Sequence, residues 1–278
     1  MTRIFAGVFV SMSFIVLGDT AGKALTAQGV APVFVAWTRF AIAAVLLLPV
    51  SGLTRNEMGG LFNWRLWLRA GLICGGIASI LTALKTVPIA DVYGAFFVGP
   101  SVAFLLSALV LREQVTWLRG ILLACGFVGV LLVVQPGLNA PPGVGFAVLA
   151  GIFYGAYLTA TRWLAPAYRP RFLLISQLVI GAILLAPFGA SAPLPPLTPS
   201  LSALVVASAL ASAAGNYLLV MISRTTPASV VSPLVYTQLI AATAAGYVFF
   251  GDLPDPVALT GLAIILASGL GSLRLARI

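Results

Sequence analysis

The sequence contains no histidine and very few charged residues. The absence of histidine excludes histidine general bases, histidine metal ligands and histidine proton relays. Only 8% of the 278 residues are Asp, Glu, Lys or Arg, whereas about a quarter of the residues of a soluble domain are charged. Because 61% of the chain is hydrophobic and no stretch could form a separate soluble domain, the composition predicts an integral membrane protein.

Cysteine is nearly absent as well. Cys74 and Cys125 fall inside apolar runs, so we interpret them as small core residues rather than as a disulfide or a metal pair. The sequence contains no nucleotide-binding loop, metal-ligand cluster or cofactor motif, because Gly75 and Gly76 lie within an apolar run. We therefore expect neither a metal nor a cofactor.

The hydrophobic residues are arranged in ten apolar runs. Each run has close to the roughly 17 to 25 residues that a helix needs to cross the hydrocarbon of a bilayer. The runs are residues 4–22, 33–52, 66–84, 91–111, 118–135, 142–162, 171–190, 199–221, 227–249 and 257–274. The sequence therefore predicts an all-α integral membrane protein with ten transmembrane helices and short connections.

The distribution of the basic residues predicts the orientation of these helices. If the amino terminus is cytoplasmic, most arginines fall on cytoplasmic helix ends and loops, and only Lys23 and Lys85 fall on the opposite side. This asymmetry follows the positive-inside rule and predicts that both termini are cytoplasmic. It also accounts for the net charge of +9 without a nucleic-acid partner, because the excess faces the anionic cytoplasmic leaflet.

The two halves of the chain resemble each other. A shift of 139 residues aligns Lys23 with Arg162, Lys85 with Arg224, Thr86 with Thr225, Pro88 with Pro227 and Glu113 with Asp252. We therefore divide the chain into a first repeat at 1–138 and a second at 139–278, each with five helices. Because five is odd, the repeats insert in opposite orientations. Such inverted repeats are typical of secondary transporters.

Several short motifs resemble those of the EamA family of the drug/metabolite transporter superfamily, and the match covers nearly the whole chain. They are Trp37-Thr38-Arg39-Phe40, Ala83-Leu84-Lys85-Thr86-Val87-Pro88, Pro100, Leu111-Arg112-Glu113, Pro233-Leu234-Val235-Tyr236-Thr237-Gln238, Phe250-Gly251-Asp252-Leu253-Pro254 and Gly261. Arg112 and Asp252 depart from the usual Gly and Glu. The resemblance implies a ten-helix transporter with a central cavity, cytoplasmic termini and export of small metabolites.

Ionisable residues inside the apolar runs are candidates for function, since each needs a partner or a water-filled cavity. Asp19 stands one helical turn before Lys23, and Arg39 lies about two turns into the second run. We expect Asp19, Lys23 and Arg39 to form one charge network near the outer side. This network is either a structural neutralisation of Asp19 or a site for substrate or proton binding.

Aromatic and polar residues away from the helix ends are candidates to line a cavity between the repeats. Ordinary core packing, interhelical hydrogen bonding or lipid contact is the alternative for each of them. Together with Asp19, these candidates are Phe14, Tyr93, Phe97, Tyr154, Tyr157, Ser212, Asn216, Tyr236 and Gln238.

Pro100 and Pro233 fall inside the fourth and ninth runs, which are corresponding spans of the two halves. A proline inside a helix removes one backbone hydrogen bond and bends the helix. We predict that these two kinked helices are gates, with a static packing kink as the alternative.

These features favour a secondary transporter of the bacterial inner membrane that exports small metabolites, amino acids foremost, by alternating access. Its partners are then a small-molecule substrate and membrane lipid, with no nucleic acid and no obligate protein partner. The alternatives are efflux of drugs, nucleosides or other metabolites, an uncoupled facilitator and a passive channel. An intramembrane enzyme fits less well, because its nucleophile and base would have to lie at depth, whereas the lysines lie at the outer edge.

Overall fold

The computed structural model describes residues 2–49, 51–53, 55–112, 117–135, 141–193, 198–223 and 234–275. Over these ranges the protein is helical and has no strand, in agreement with the predicted all-α class. The helices are α1 (Thr2–Ala27), α2 (Pro32–Leu47), α3 (Arg55–Gly60), α4 (Trp64–Leu84), α5 (Ile89–Phe96), α6 (Val98–Val110), α7 (Trp117–Val134), α8 (Val144–Leu164), α9 (Pro170–Gly189), α10 (Pro199–Ser223), α11 (Gln238–Phe250) and α12 (Pro256–Leu275).

Six helical segments are long and apolar enough to cross a membrane. They are Arg3–Ala27, Trp64–Leu84, Ile89–Val110, Val144–Leu164, Pro170–Gly189 and Pro199–Leu219. Four shorter apolar helices overlap the other predicted runs. They are Pro32–Leu47, Gly120–Val134, Val235–Phe250 and Pro256–Gly271. The described residues thus form a multi-helix membrane protein, while the count of ten spans and the side on which the termini lie stay predictions.

Two of the differences between the predicted runs and the observed helices bear on the site. α1 continues to Ala27 and not to residue 22, so Asp19 and Lys23 lie well inside a helix. The run 91–111 is divided into α5 and α6, which meet at Phe97. Pro100 explains this break, because its ring clashes with the carbonyl four residues earlier and its missing N–H costs nothing in the first turn of α6. Pro233 lies outside the described residues.

Glycines bring α8 into close contact with its neighbours. A Cβ atom on Gly151 would stand 2.5 Å from the carbonyl oxygen of Phe96, and one on Gly155 would stand 2.5 Å from that of Gly99. Both distances are shorter than any real Cβ contact, so larger residues would push the backbones apart. Small residues on one helical face are the usual means of close packing between membrane helices.

Helices from the two halves of the chain pack against each other throughout the bundle. α1 packs on α10 and α4 packs on α8, while α2 contacts α9, α7 contacts α12 and α5 contacts α11. The largest cluster of buried apolar side chains draws on α1, α2, α4, α5, α8, α9 and α11. The middle of the molecule is therefore an interface between the two halves.

Candidate functional site

Asp19 and Arg39 form a buried ion pair between α1 and α2. Arg39 Nη1 donates to Asp19 Oδ1, and Arg39 Nε donates to Ser208 Oγ on α10 at 2.9 Å. A third donor, Arg39 Nη2, reaches the carbonyl oxygen of Gly18. The structure thus brings together two of the three members of the predicted charge network, and it adds Ser208 from the second half of the chain.

Tyr93 and Gln238 extend this pair towards the centre of the bundle. The Tyr93 hydroxyl donates to Asp19 Oδ2, and the Gln238 side chain hydrogen-bonds to the same hydroxyl. Tyr93, on α5, and Gln238, at the start of α11, are both buried. Both oxygens of the Asp19 carboxylate therefore have a donor, and residues from both halves of the chain meet around it.

Lys23 is not part of this pair. Its Nζ bonds to Asp252 Oδ2 at 2.9 Å and to the carbonyl oxygen of Val87 at 3.2 Å, and it stands 4.7 Å from the centroid of the Phe250 ring. Asp252 follows α11, so the ion pair ties α1 to the second half of the chain at the end where α1 finishes. The expected single network of Asp19, Lys23 and Arg39 is therefore two separate contacts.

Two further carboxylates, those of Asp91 and Asp255, lie at the starts of helices. Asp91 lies in the first turn of α5 without forming a cap hydrogen bond, and its Oδ1 is buried with no hydrogen-bond partner among the described residues. Asp255 precedes α12 and accepts hydrogen bonds from the backbone N–H groups of Ala258 and Val257 and from the Gln135 side chain. These hydrogen bonds, that of Ala258 foremost, hold the pKa of Asp255 below its ordinary value. Glu113 lies outside the described residues.

Five aromatic side chains form a continuous series of ring contacts, which we call the aromatic track. Successive ring centroids are 4.7, 6.1, 4.9 and 5.9 Å apart. The members in order are Tyr236, Phe97, Phe96, Tyr154 and Tyr157. Tyr93 joins this track through Phe96 at 6.2 Å. Four of the predicted cavity residues thus lie in one track, and their rings contact one another.

Three other cavity candidates, Phe14, Ser212 and Asn216, have no ring contact with the aromatic track among the described residues. Phe14, on α1, has 36% of its surface exposed. Asn216 Nδ2 donates to the carbonyl oxygen of Ser212 on its own helix, at 2.8 Å. A Cβ atom on Gly18 would stand 3.2 Å from Ser212 Cβ, so this part of α10 packs directly on α1.

Sequence reasoning missed Arg69, which it had counted among the cytoplasmic helix ends. Arg69 Nε donates to Thr161 Oγ1 at 2.7 Å, Nη1 to the carbonyl oxygen of Leu173 at 2.8 Å and Nη2 to the Tyr157 hydroxyl at 2.8 Å. The Tyr157 hydroxyl in turn donates to Gln177 Oε1 at 2.7 Å. Arg69 is only 3% exposed, and its place inside the predicted run 66–84 is the signal that could have revealed it. We call these five residues the Arg69 cluster.

The described residues contain no group of three or more Cys, Asp or Glu that could hold a metal ion. They do form a small groove near the ends of α2 and α10 and the start of α9. The groove shares no residue with the aromatic track. It is lined by Leu47, Ser51, Arg171, Leu174, Ile175, Tyr217 and Met221.

Comparisons with known proteins point to one family. The model of the EamA-like transporter family matches residues 3–135 and 141–274. A riboflavin transporter of Vibrio cholerae is 26% identical over 272 residues, which cover 92% of this chain and 88% of that protein. An S-adenosylmethionine uptake transporter of Rickettsia bellii is 25% identical over 240 residues, which cover 85% of this chain and 81% of that protein. One crystal structure, with 20% identity, covers 98% of both chains at a TM-score of 0.65 and shows the same fold.

Proposed function

The chain belongs to the EamA-like transporter family and is a multi-pass protein of the inner membrane, and from this premise we propose that it transports a small metabolite with a flat aromatic ring. The observation that carries the proposal is the aromatic track. Its last ring, Tyr157, accepts a hydrogen bond from the buried Arg69, and its middle ring, Phe96, contacts Tyr93, which donates to the carboxylate of the buried Asp19. Flat rings bind favourably against aromatic side chains, and a few polar groups then orient the ligand.

The named relatives support this substrate class. Riboflavin and S-adenosylmethionine each join a flat heterocycle to a polar chain, and transporters of both resemble this chain over most of its length. Riboflavin is therefore the first candidate. Amino-acid export, predicted from the sequence, becomes the second candidate, with the aromatic amino acids foremost. Because one relative is named an uptake transporter, uptake stands beside export as a candidate direction.

Alternating access between two inverted repeats is the mechanism that we propose. A shift of 139 residues maps α1 onto α8 and α4 onto α10, so the contact of α1 with α10 corresponds to the contact of α4 with α8. The same shift maps α2 onto α9 and α7 onto α12, so the contact within each of these two pairs corresponds to itself. A pattern of this kind supports two halves that can exchange conformations. Lys23 bonds to Asp252 at one end of the bundle, and Arg69 bonds to Tyr157, Thr161 and Leu173 at the other. Opening either end then breaks the contacts between the halves at that end.

Counterflow in proteoliposomes tests the proposal. Vesicles are loaded with one unlabelled compound, and the labelled form of the same compound is added outside. The compounds tested in turn are riboflavin, S-adenosylmethionine, adenosine, phenylalanine, tryptophan and leucine. We expect saturable exchange stimulated from the opposite side for at least one ring compound, and much less for leucine. A pore would show flux without that stimulation, and absence of exchange for every compound would reject the proposal.

A pair of variants tests the role of the aromatic track. Phe97→Ala removes a ring that contacts both Phe96 and Tyr236. We expect up to about a tenfold weaker apparent affinity for the ring compound, since an aromatic pair contributes about 0.5–1.5 kcal/mol beyond its area. The matched control is Phe14→Ala, which removes a ring that lies exposed on α1. Equal effects of the two substitutions would count against the aromatic track as the binding surface.

A further inference from the structure

The Arg69 cluster holds a buried cation whose guanidinium lies 4.7 Å from the centroid of the Tyr157 ring and whose described hydrogen bonds all go to neutral oxygen atoms. These atoms are the Thr161 hydroxyl, the Leu173 carbonyl and the Tyr157 hydroxyl. An arginine has five N–H donors, and these contacts use three of them. No carboxylate lies within ion-pair distance of Arg69 among the described residues. The positive charge therefore lacks the partner that Arg39 has in Asp19.

This missing partner matters because arginine does not lose its proton under physiological conditions. A buried charge without a counter-charge is costly, and neutral hydrogen-bond acceptors compensate only part of that cost. Charged residues within membrane spans are accordingly rare and usually serve a function. Arg69 is therefore a buried cation that has unused hydrogen-bond donors for an anionic ligand.

The proposed repeat allows the surroundings of Arg69 and Arg39 to be compared position by position. A shift of 139 residues takes Arg69 to Ser208, and Ser208 is the residue that accepts a hydrogen bond from Arg39. The Arg69 cluster and the Arg39 pair therefore occupy corresponding places in the two halves. The same shift takes Asp19 to Leu158. The acid that neutralises the first arginine thus has no counterpart beside the second.

The Arg69 cluster also stands at one end of the aromatic track. Tyr157 is the last ring of the track, and its hydroxyl accepts a hydrogen bond from Arg69. We infer that the Arg69 cluster binds the oxyanion, most simply a carboxylate, of a transported compound whose ring lies on the aromatic track. The planar guanidinium can offer two parallel hydrogen bonds to a carboxylate. The inference rests on the proposed function for the position of the ring.

Two probes that differ in one charge test this inference. Indole-3-acetate and indole-3-acetamide share a flat ring and a short side chain, but only the first carries an oxyanion. We expect the purified protein in a neutral detergent to bind the acetate about tenfold more tightly than the amide by titration calorimetry. Arg69→Gln should remove this preference and leave the affinity for the amide within about twofold, while Arg69→Lys should keep part of it.

Arg65→Gln is the matched control. It makes the same change of charge one turn earlier on α4, at an exposed side chain that contacts Trp163 and lies outside the Arg69 cluster, so the preference for the acetate should persist. Equal affinity of the unaltered protein for the two probes, or failure to bind either, overturns the inference without the need for any variant. A preference that survives in Arg69→Gln overturns it as well.

Two further measurements distinguish this inference from binding of a lipid phosphate and from the proposed function. Titrations in phosphatidylcholine vesicles are repeated with phosphatidylglycerol added, and loss of the preference only in the anionic vesicles would assign the site to a lipid phosphate rather than to a transported compound. Counterflow of riboflavin, which carries no carboxylate or phosphate, tests the proposed function alone. Active counterflow with no oxyanion preference rejects the inference and keeps the function. An oxyanion preference without counterflow of any of the six compounds rejects the function and leaves the Arg69 cluster as an anion-binding site.

Discussion

At the scale of single residues, burial decides how much each ion pair contributes. Asp19 and Arg39 are almost completely buried, whereas the side chains of Lys23 and Asp252 are 14% and 33% exposed. Water and salt screen the second pair, so that its contribution is small. The first pair has no such screening, and the loss of either member leaves a charge in an apolar span.

A double-mutant cycle on the buried pair is the first prediction. Asp19→Asn and Arg39→Gln should each lower the stability of the protein in detergent by roughly 3–5 kcal/mol, because each leaves one buried charge uncompensated. The double variant should lose less than the sum of the two, since it removes both charges. Thermal unfolding followed by tryptophan fluorescence measures all four proteins. Additive losses would mean that the two side chains do not depend on each other.

The same contacts bear on proton coupling. The sequence suggested that Asp19 carries the proton if transport is coupled to a pH gradient. In the structure, Arg39 and Tyr93 both donate to its carboxylate, so each of its two oxygens already has a hydrogen-bond partner. A proton could then reach Asp19 only after the ion pair opens, so coupling through Asp19 requires movement of α2 relative to α1.

At the scale of helices, close packing depends on a few small residues. Gly155 faces the backbone of α6, whereas a Cβ atom on Gly71 of α4 would meet no atom within 4 Å. The two glycines lie on different helices but have similar sequence surroundings, since each belongs to a series of small residues spaced four positions apart. Sequence spacing alone therefore predicts a packing face without saying which of its members touches a neighbour.

Substitution of these glycines is the second prediction. Gly155→Leu should destabilise the protein by at least about 1–3 kcal/mol, because the added atoms force α8 away from α6. Gly71→Leu is the matched control and should change stability much less. The melting temperatures of the two variants in the same detergent provide the comparison. A larger loss for Gly71→Leu would contradict the observed packing.

The start of α12 supplies the third prediction. Asp255 accepts hydrogen bonds from the first N–H groups of this helix, and its folded-state pKa lies below the ordinary value of 3.8. Its contribution to stability is therefore complete above that value and is lost as the pH falls through the folded pKa. Asp255→Ala should melt at a lower temperature than the unaltered protein at pH 7, and the difference should shrink near pH 3. Asp255→Asn, a neutral cap, serves as the control. A pH-independent difference for Asp255→Ala would contradict this role.

At the scale of the whole molecule, the sequence predicted where the helices lie better than it predicted which distant residues contact each other. The apolar runs located every long helix, because hydrophobic length is a local property. Pro100 likewise predicted a bend from local chemistry, and the structure divides the run into α5 and α6 three residues before it. The partner of Lys23 could not be found in this way, since the i,i+4 spacing pointed to Asp19 whereas the structure pairs it with Asp252. Contacts between distant residues depend on how the halves assemble, which neither spacing nor composition records.

A cross-link between the two halves is the last prediction. Cysteines replace Lys23 and Asp252 in a protein whose Cys74 and Cys125 are alanine, and a short bifunctional thiol reagent then joins α1 to the residue that follows α11. Because alternating access requires this end to open, we expect cross-linked protein to lose counterflow and reduction of the linker's disulfides to restore it. Each single-cysteine variant treated with the same reagent is the control. Full counterflow in quantitatively cross-linked protein would show that the two halves need not separate at this end.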